Sequence, residues 1–298
     1  MNKYLMLLLI SLIWGSQFFF VALLIEAVGA ITLSAIKAFV GAICLLIISL
    51  FLSKEARKIQ KGYRKWYILI ALFEVVLPFI LIAQGQKTVP SSIASMLIGM
   101  VPLFTLIFLM VLFKKKFQKI QGFSILLGFL GILILSWPTN NASDFLYSIQ
   151  GNLLLIIAAM SFAFSLILME QLTTGSSIVH MRNVLFIASI ILIPIAFIFE
   201  QPLRLNIDLS QYIYLMILGT FHAGVVYLLM NLLIHQQGAI FTSLTNYIVP
   251  AIGIMLGYFI LHEDLTTKHL IGVLIIGISL IFSDSKIINT IKKKINKC

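Results

Sequence analysis

The chain has 298 residues, 61% of them hydrophobic and 10% charged, with a mean hydropathy of +1.10 and a formal net charge of +11. No soluble core needs that much apolar surface, so a water-soluble domain is excluded; loops are short throughout. The positive balance does not imply a nucleic-acid surface, because its distribution along the chain follows a membrane pattern.

Ten apolar runs of about 18–23 residues recur, each long enough to cross a bilayer core of about 30 Å as a helix. The first, 4–25, follows Lys3 but is longer than the apolar core of a signal peptide, and Trp14-Gly15 interrupts it; it reads as a retained helix. Trp14, Gln17 and Phe18 on this run are candidate cavity residues, although aromatics at helical spacing suit plain packing equally. The second, 32–52, carries Lys37 near its outer end, from where it is expected to snorkel to the interface. Cys44 lies in the same run and Cys298 ends the chain; they are not expected to pair.

The third run, 66–85, holds Glu74 near its centre, in IALFEVVLPF. A carboxylate at that depth costs several kcal/mol unless it meets water, a partner or a bound cation. Its helical face continues through Leu77, Pro78 and Leu81 to Gly85. The functional reading is a cavity group that binds a proton or the cationic part of a substrate; the bland one is a hydrogen-bonded packing residue. Gln84 is a further polar candidate. The fourth run, 91–113, carries a late proline, Pro102, expected to loosen the helix, and the fifth, 121–137, is glycine-rich. The polar stretch Pro138–Gln150 is expected to be the joint between two halves.

The second half runs through 151–170, 183–200, 211–233, 240–261 and 269–284. His222 sits inside the eighth run, where a neutral imidazole either hydrogen-bonds or serves a site. Asn231 is another polar group of that run. The ninth run carries Thr242, Asn246, Tyr247 and Pro250, then Gly253 and Gly257 in a GxxxG pattern. Thr242, Asn246, Gly253 and Gly257 share one face, able to line a cavity or bond between helices. His262-Glu263-Asp264 with His269 does not have the spacing of a helical zinc motif and reads as polar loop chemistry. No nucleophile elbow, phosphate loop or metal-ligand cluster occurs, so neither a cofactor nor an enzymatic activity is expected.

With ten alternating helices and a cytoplasmic N-terminus, 17 of the 21 basic residues fall in cytoplasmic segments, which places both termini inside. Residues 66–103 and 214–251 are faint copies at an offset of 148: Phe73 falls on Phe221, Ser95 on Ser243, Val101 on Val249, Pro102 on Pro250 and Glu74 on His222. Five helices per half make the second half cross in the opposite sense, an inverted repeat whose site is expected near the midplane. Expected units are 1–140, 146–285 and a basic cytoplasmic tail, 286–298.

Three stretches then carry a resemblance: Leu12-Ile13-Trp14-Gly15-Ser16; a basic residue early in helix two (Lys37); and Asn246-Tyr247-Ile248-Val249-Pro250 followed by Glu263, Gly272 and Gly277. By these the chain resembles the drug/metabolite transporter superfamily in its ten-helix EamA-like branch. The resemblance implies an all-α membrane protein and a secondary carrier with alternating access; members move amino acids, other metabolites, choline-like cations or drugs, many of them outward. Lys115 stands where the first half would match Glu263, a departure that puts the pairing of that glutamate in question there. Glu74 is outside the shared pattern, which suits a role in substrate choice.

The expected function is export of a small amphipathic metabolite such as an amino acid across a bacterial inner membrane. Glu74 and His222 form the substrate or proton site, protons are the coupling ion, and the protein is a monomer or homodimer. An importer or exchanger of an organic cation is the alternative, and a membrane-embedded lipid enzyme the alternative of another class. Partners are the small-molecule substrate and membrane lipid, with no nucleic acid.

Overall fold

A computed structural model describes residues 2–58, 61–114, 119–136 and 142–283. Every regular element among the described residues is helical: α1 (Lys3–Val28), α2 (Ala30–Leu50), α3 (Arg64–Ile70), α4 (Leu77–Gly85), α5 (Ser91–Ile98), α6 (Val101–Phe113) and α7 (Lys119–Ser136) come first. Next come α8 (Ala142–Met169), α9 (Ser177–Phe199), α10 (Leu209–Gly219), α11 (Val226–Ser243), α12 (Thr245–Phe259) and α13 (Thr267–Ser283). Seven helical stretches are long and apolar enough to cross a membrane: Lys3–Val28, Ala30–Leu50, Arg64–Gly85, Ser91–Leu112, Ile149–Met169, Ser177–Phe199 and Leu209–Ala239, with Leu270–Ser279 a shorter apolar helix. Their outer faces expose Leu8, Leu12, Ile190, Phe197 and Met216. Such apolar surface is stable against lipid and not against water.

The polar stretch expected as a joint is mostly helical: α8 already begins at Ala142. A polar sequence at a membrane surface can stay helical when the helix it extends is anchored by its apolar part. The remainder of that joint, Lys115, Lys116, the tail 286–298 and Cys298 lie outside the described residues, as do the expected unit limits at 140 and 285.

α3 and α4 are joined by a π-helical segment, Ala71–Val76, and α10 and α11 by another, Thr220–Val225. Each inserts one extra residue per turn and leaves a backbone carbonyl without its usual partner. Glu74 lies in the first segment and His222 in the second. The insertion also rotates the helix beyond it: Leu77, expected on the face of Glu74, is 39% exposed.

Carboxylates from other helices cap three helix N-termini. Glu200, at the end of α9, accepts from the Ile31 and Thr32 amides (3.1 and 2.7 Å) and from the Thr32 hydroxyl (2.7 Å). Glu263, beyond α12, accepts from the Ser91 and Ser92 amides at 2.6 and 2.9 Å. Glu170, at the end of α8, accepts from the Ala239 amide at 2.6 Å. The first amides of a helix have no partner within it, and its positive end favours an anion, so each contact ties two helices by satisfying groups that lipid cannot. Gly29 and Gly238, both at positive φ, let the chain turn sharply beside Glu200 and Glu170. Glu263 is thus a structural tie rather than loop chemistry, and in the second half Glu170 fills the place that Lys115 cannot.

The packing pairs α2 with α9, α7 with α13 and α5 with α12. α1 packs on α12 and α11, while α8 packs on α6 and α4; α2 lies against the second π segment and α9 against the first. Small residues permit the closest approaches: a Cβ on Gly253 would collide with Ser95, one on Gly219 with Val40, and one on Gly41 would come within 2.7 Å of Ala223. The GxxxG pattern of α12 is therefore buried within the chain, against α5.

Candidate functional site

Glu74 is fully buried. The Ser165 hydroxyl of α8 donates to its Oε2, and Oε1 has no hydrogen-bond partner among the described residues. Two carbonyls of the π segment, just ahead of Pro78 with its missing N–H, accept from other helices: Ser161 donates to the Phe73 carbonyl at 2.6 Å and Tyr227 to the Glu74 carbonyl at 3.1 Å. A local irregularity in one helix is thus secured by side chains of two others, holding the carboxyl toward a small cavity.

Trp14, Gln17, Glu74, Ile98, Val101, Phe162, Leu166, Asn246 and Val249 line that cavity. Trp14 lies against Phe162 (ring centroids 5.9 Å apart) and edge-on to Tyr227 (6.1 Å), while Phe79 stacks on Tyr227 at an interplanar angle of 14°. Trp14 and Phe162, Ile98 and Asn246, Val101 and Val249, and Phe79 and Tyr227 are each 148 residues apart. So are Gln17 and Ser165, and each of these two polar residues holds an ionisable group: Gln17 holds Lys37 and Ser165 holds Glu74.

Lys37 departs from expectation. It is 3% exposed, its ammonium donating to Gln17 Oε1 at 2.8 Å and lying 3.8 Å from the centroid of the Phe79 ring. An ammonium this well placed gains more from an amide oxygen and a ring face than from stretching along an apolar helix to the interface. Its charge acts on Glu74 and on His222.

His222 is buried beside the cavity rather than on it. Its Nδ1 donates to the Ile217 carbonyl at 3.3 Å, its Nε2 shares a 3.0 Å hydrogen bond with Ser16 Oγ, and its ring meets Phe20 edge-on. No hydrogen bond joins it to Glu74 among the described residues. Trp14, Gln17 and Asn246 line the cavity as expected, the Asn246 amide also donating to the Ser243 carbonyl at 3.2 Å.

The other candidates fall elsewhere. Phe18 is buried one layer out, its carbonyl accepting from Gln86 Nε2 at 2.9 Å. Gln84 is exposed on α4, because the π segment rotates that helix away. Thr242 bonds back to the Gly238 carbonyl at 2.9 Å, so its hydroxyl serves the bend at the start of its span. Tyr247 lies in α12 and its side chain is outside the described residues. Pro102 begins α6, where a missing amide costs nothing, and the break precedes it at Gly99-Met100; Pro250 lies inside α12 with Gly99 directly opposite. Pro250 thus packs where α12 crosses the end of α5.

Ser165, Tyr227, Phe79 and Phe162 were not singled out from sequence. The signal existed: Phe79 falls on Tyr227 within the two matching stretches, and extending the 148-residue offset beyond them leads from Trp14 to Phe162 and from Gln17 to Ser165. Buried Asn231, one turn after Tyr227, has no partner on either side-chain atom among the described residues.

Comparison with known proteins gives one family. The model described as the EamA-like transporter family matches residues 1–137 and 149–283. Similar relatives include the uncharacterised transporter YoaV of Bacillus subtilis, 23% identical over 268 residues, 90% of this chain and 91% of its own. The uncharacterised inner membrane transporter YedA of Escherichia coli K12 is 25% identical, covering 91% and 87%, and protein PagO of Salmonella typhimurium 27%, covering 92% and 90%. A solved crystal structure superposes with a TM-score of 0.66 at 14% identity, over 94% of this chain and 96% of its own, a likeness of fold alone.

Proposed function

Because the chain belongs to the EamA-like transporter family, we propose that it is a secondary active carrier exporting a small amphipathic metabolite, an amino acid or close relative, by alternating access. It is an integral multi-pass protein of the bacterial inner membrane and a transporter; substrate, direction and coupling are the proposal. Glu74 receives the substrate ammonium or a coupling proton, and His222 tunes the site from behind Lys37. The carrying observation is the cavity itself: a carboxylate with one oxygen unpartnered among the described residues lines it beside Trp14 and Phe162, and Gln17, also on its wall, holds the buried Lys37 ammonium. That set of groups complements a zwitterion with an apolar side chain.

The reading includes ten spans in two inverted five-helix repeats, 1–140 and 146–285, with both termini and the tail 286–298 cytoplasmic. The mirrored packing supports it: α1 meets α12 and α11 as α8 meets α6 and α4, and each π segment meets the second helix of the other half. In such folds the site lies where the repeats meet, and cavity residues 148 apart suit that arrangement. A monomer suffices, since the cavity draws on one chain. An organic cation is the weaker alternative, because Lys37 already supplies a positive charge there.

The test is a thermal-shift panel on purified protein: leucine, phenylalanine and methionine against spermidine and choline. A ligand at 100 times its Kd stabilises the folded state by about 2.7 kcal/mol. An amino acid is expected to raise the melting temperature while its decarboxylated amine does not. Stabilisation by choline or spermidine alone would overturn the substrate class.

A further inference from the structure

Lys37, one of the two charges of the proposed site, is held by the protein itself: Gln17 of α1 bonds its ammonium and the Phe79 ring of α4 lies against it. Gln17 also lines the cavity with Glu74, and Glu74 and His222, on the two π segments, are the titratable groups that feel its charge. Tyr227, stacked on the far side of Phe79, is the other titratable group nearby. Gln17 Oε1 and the Phe79 face together form a cation site, and the ammonium of the protein's own lysine occupies it. Glu74, within range of that charge, keeps one oxygen free.

A carrier that works down a gradient must return empty, and the return passes through a closed state. A buried carboxylate without a counter-charge costs several kcal/mol there, enough to block the return. We propose that Lys37 is a tethered counter-cation: it neutralises Glu74 while the carrier reorients empty, and yields when a zwitterionic substrate brings an ammonium for Glu74 and a carboxylate for Lys37. Empty and loaded sites then carry the same net charge, so both can close, and net transport becomes possible rather than exchange alone. A free organic cation would face Glu74 with Lys37 still charged beside it, an excess that closure does not tolerate.

This rests on the reading above, with Glu74 as the cation site of an alternating-access carrier for a zwitterion, and it is tested without substrate. Spin labels are placed on the full chain in nanodiscs, at Lys87 and Arg204 on the outer face and at Lys54 and Gln236 on the inner, with both cysteines replaced by serine. Empty wild-type protein is expected to show two distance populations on each face. Lys37→Met is expected to lose the minor population about tenfold or more, Lys37→Arg to keep it, and Lys37→Met with Glu74→Gln to regain it. Regain in the double variant separates a charge effect from a folding defect. Unchanged populations in Lys37→Met, failure of the double variant to recover, or a wild type that reorients only with an added amino acid would each overturn the proposal. Loss of flux in Glu74→Gln with unchanged distances would leave the transport reading standing and this one refuted.

Discussion

Replacing Glu74 by glutamine is expected to cut transport by about ten- to a hundredfold, the worth of one charge-assisted contact of about 1.5–3 kcal/mol. The melting temperature should not fall. The glutamine oxygen can still accept from Ser165, the Tyr227 bond goes to the backbone, and the free carboxylate oxygen gives way to an uncharged amide. Lys37 keeps the Gln17 oxygen and the Phe79 ring face, so its ammonium is not left without partners when the carboxylate goes. The pair of results matters: a residue that merely packs would lose stability along with activity, or lose neither. The acid limb of the pH profile should vanish as well, since below the titration of Glu74 the wild type loses the charge that the variant never had. Wild-type rates at every pH would remove Glu74 from the site.

The second large effect is expected at Glu263. Both its oxygens accept from amides at the start of α5, and glutamine would turn an NH2 toward one of those donors. Losing one such bond and leaving an amide unsatisfied costs about 1–3 kcal/mol. Unfolding in detergent should show that loss for Glu263→Gln, and hydrogen exchange should rise at Ser91–Ile98, with Asp264→Asn as an unaffected control. Because Gly253 packs on Ser95 of the same helix, a loosened α5 also loosens its crossing with α12. Exchange in α5 equal to that of the wild type would show that the cap is not what holds it.

Much of the scaffold was legible because lipid permits few solutions: apolar runs of membrane length must be helices, and an acid within one stands out. Glu74 was named that way, and Gln17, Trp14 and Asn246, which line the same cavity, as polar or aromatic residues within such runs. The site's other half was hidden for definite reasons. Which way Lys37 points depends on how α2 packs against the π segment bearing His222, and a hydropathy run carries no such information. The π segments themselves have no sequence signature, yet one extra residue at Ala71–Val76 turned Leu77 outward and moved Gln84 off the site. Glu263 looked like a loop residue and Glu170 was not singled out, because their partners are backbone amides, which leave no trace in side-chain identity. Tyr227 was within reach inside the repeat itself, opposite Phe79, and Ser165 had the offset been followed into the first and sixth runs.

The most direct test is flux of the amino acid that best stabilises the protein, measured with the purified chain in proteoliposomes under an imposed gradient. Movement should saturate with concentration, accelerate when the same amino acid is present on the far side, and collapse in Glu74→Gln. Flux that rises without saturation, or chemical turnover of lipid with no movement of solute, would contradict a carrier.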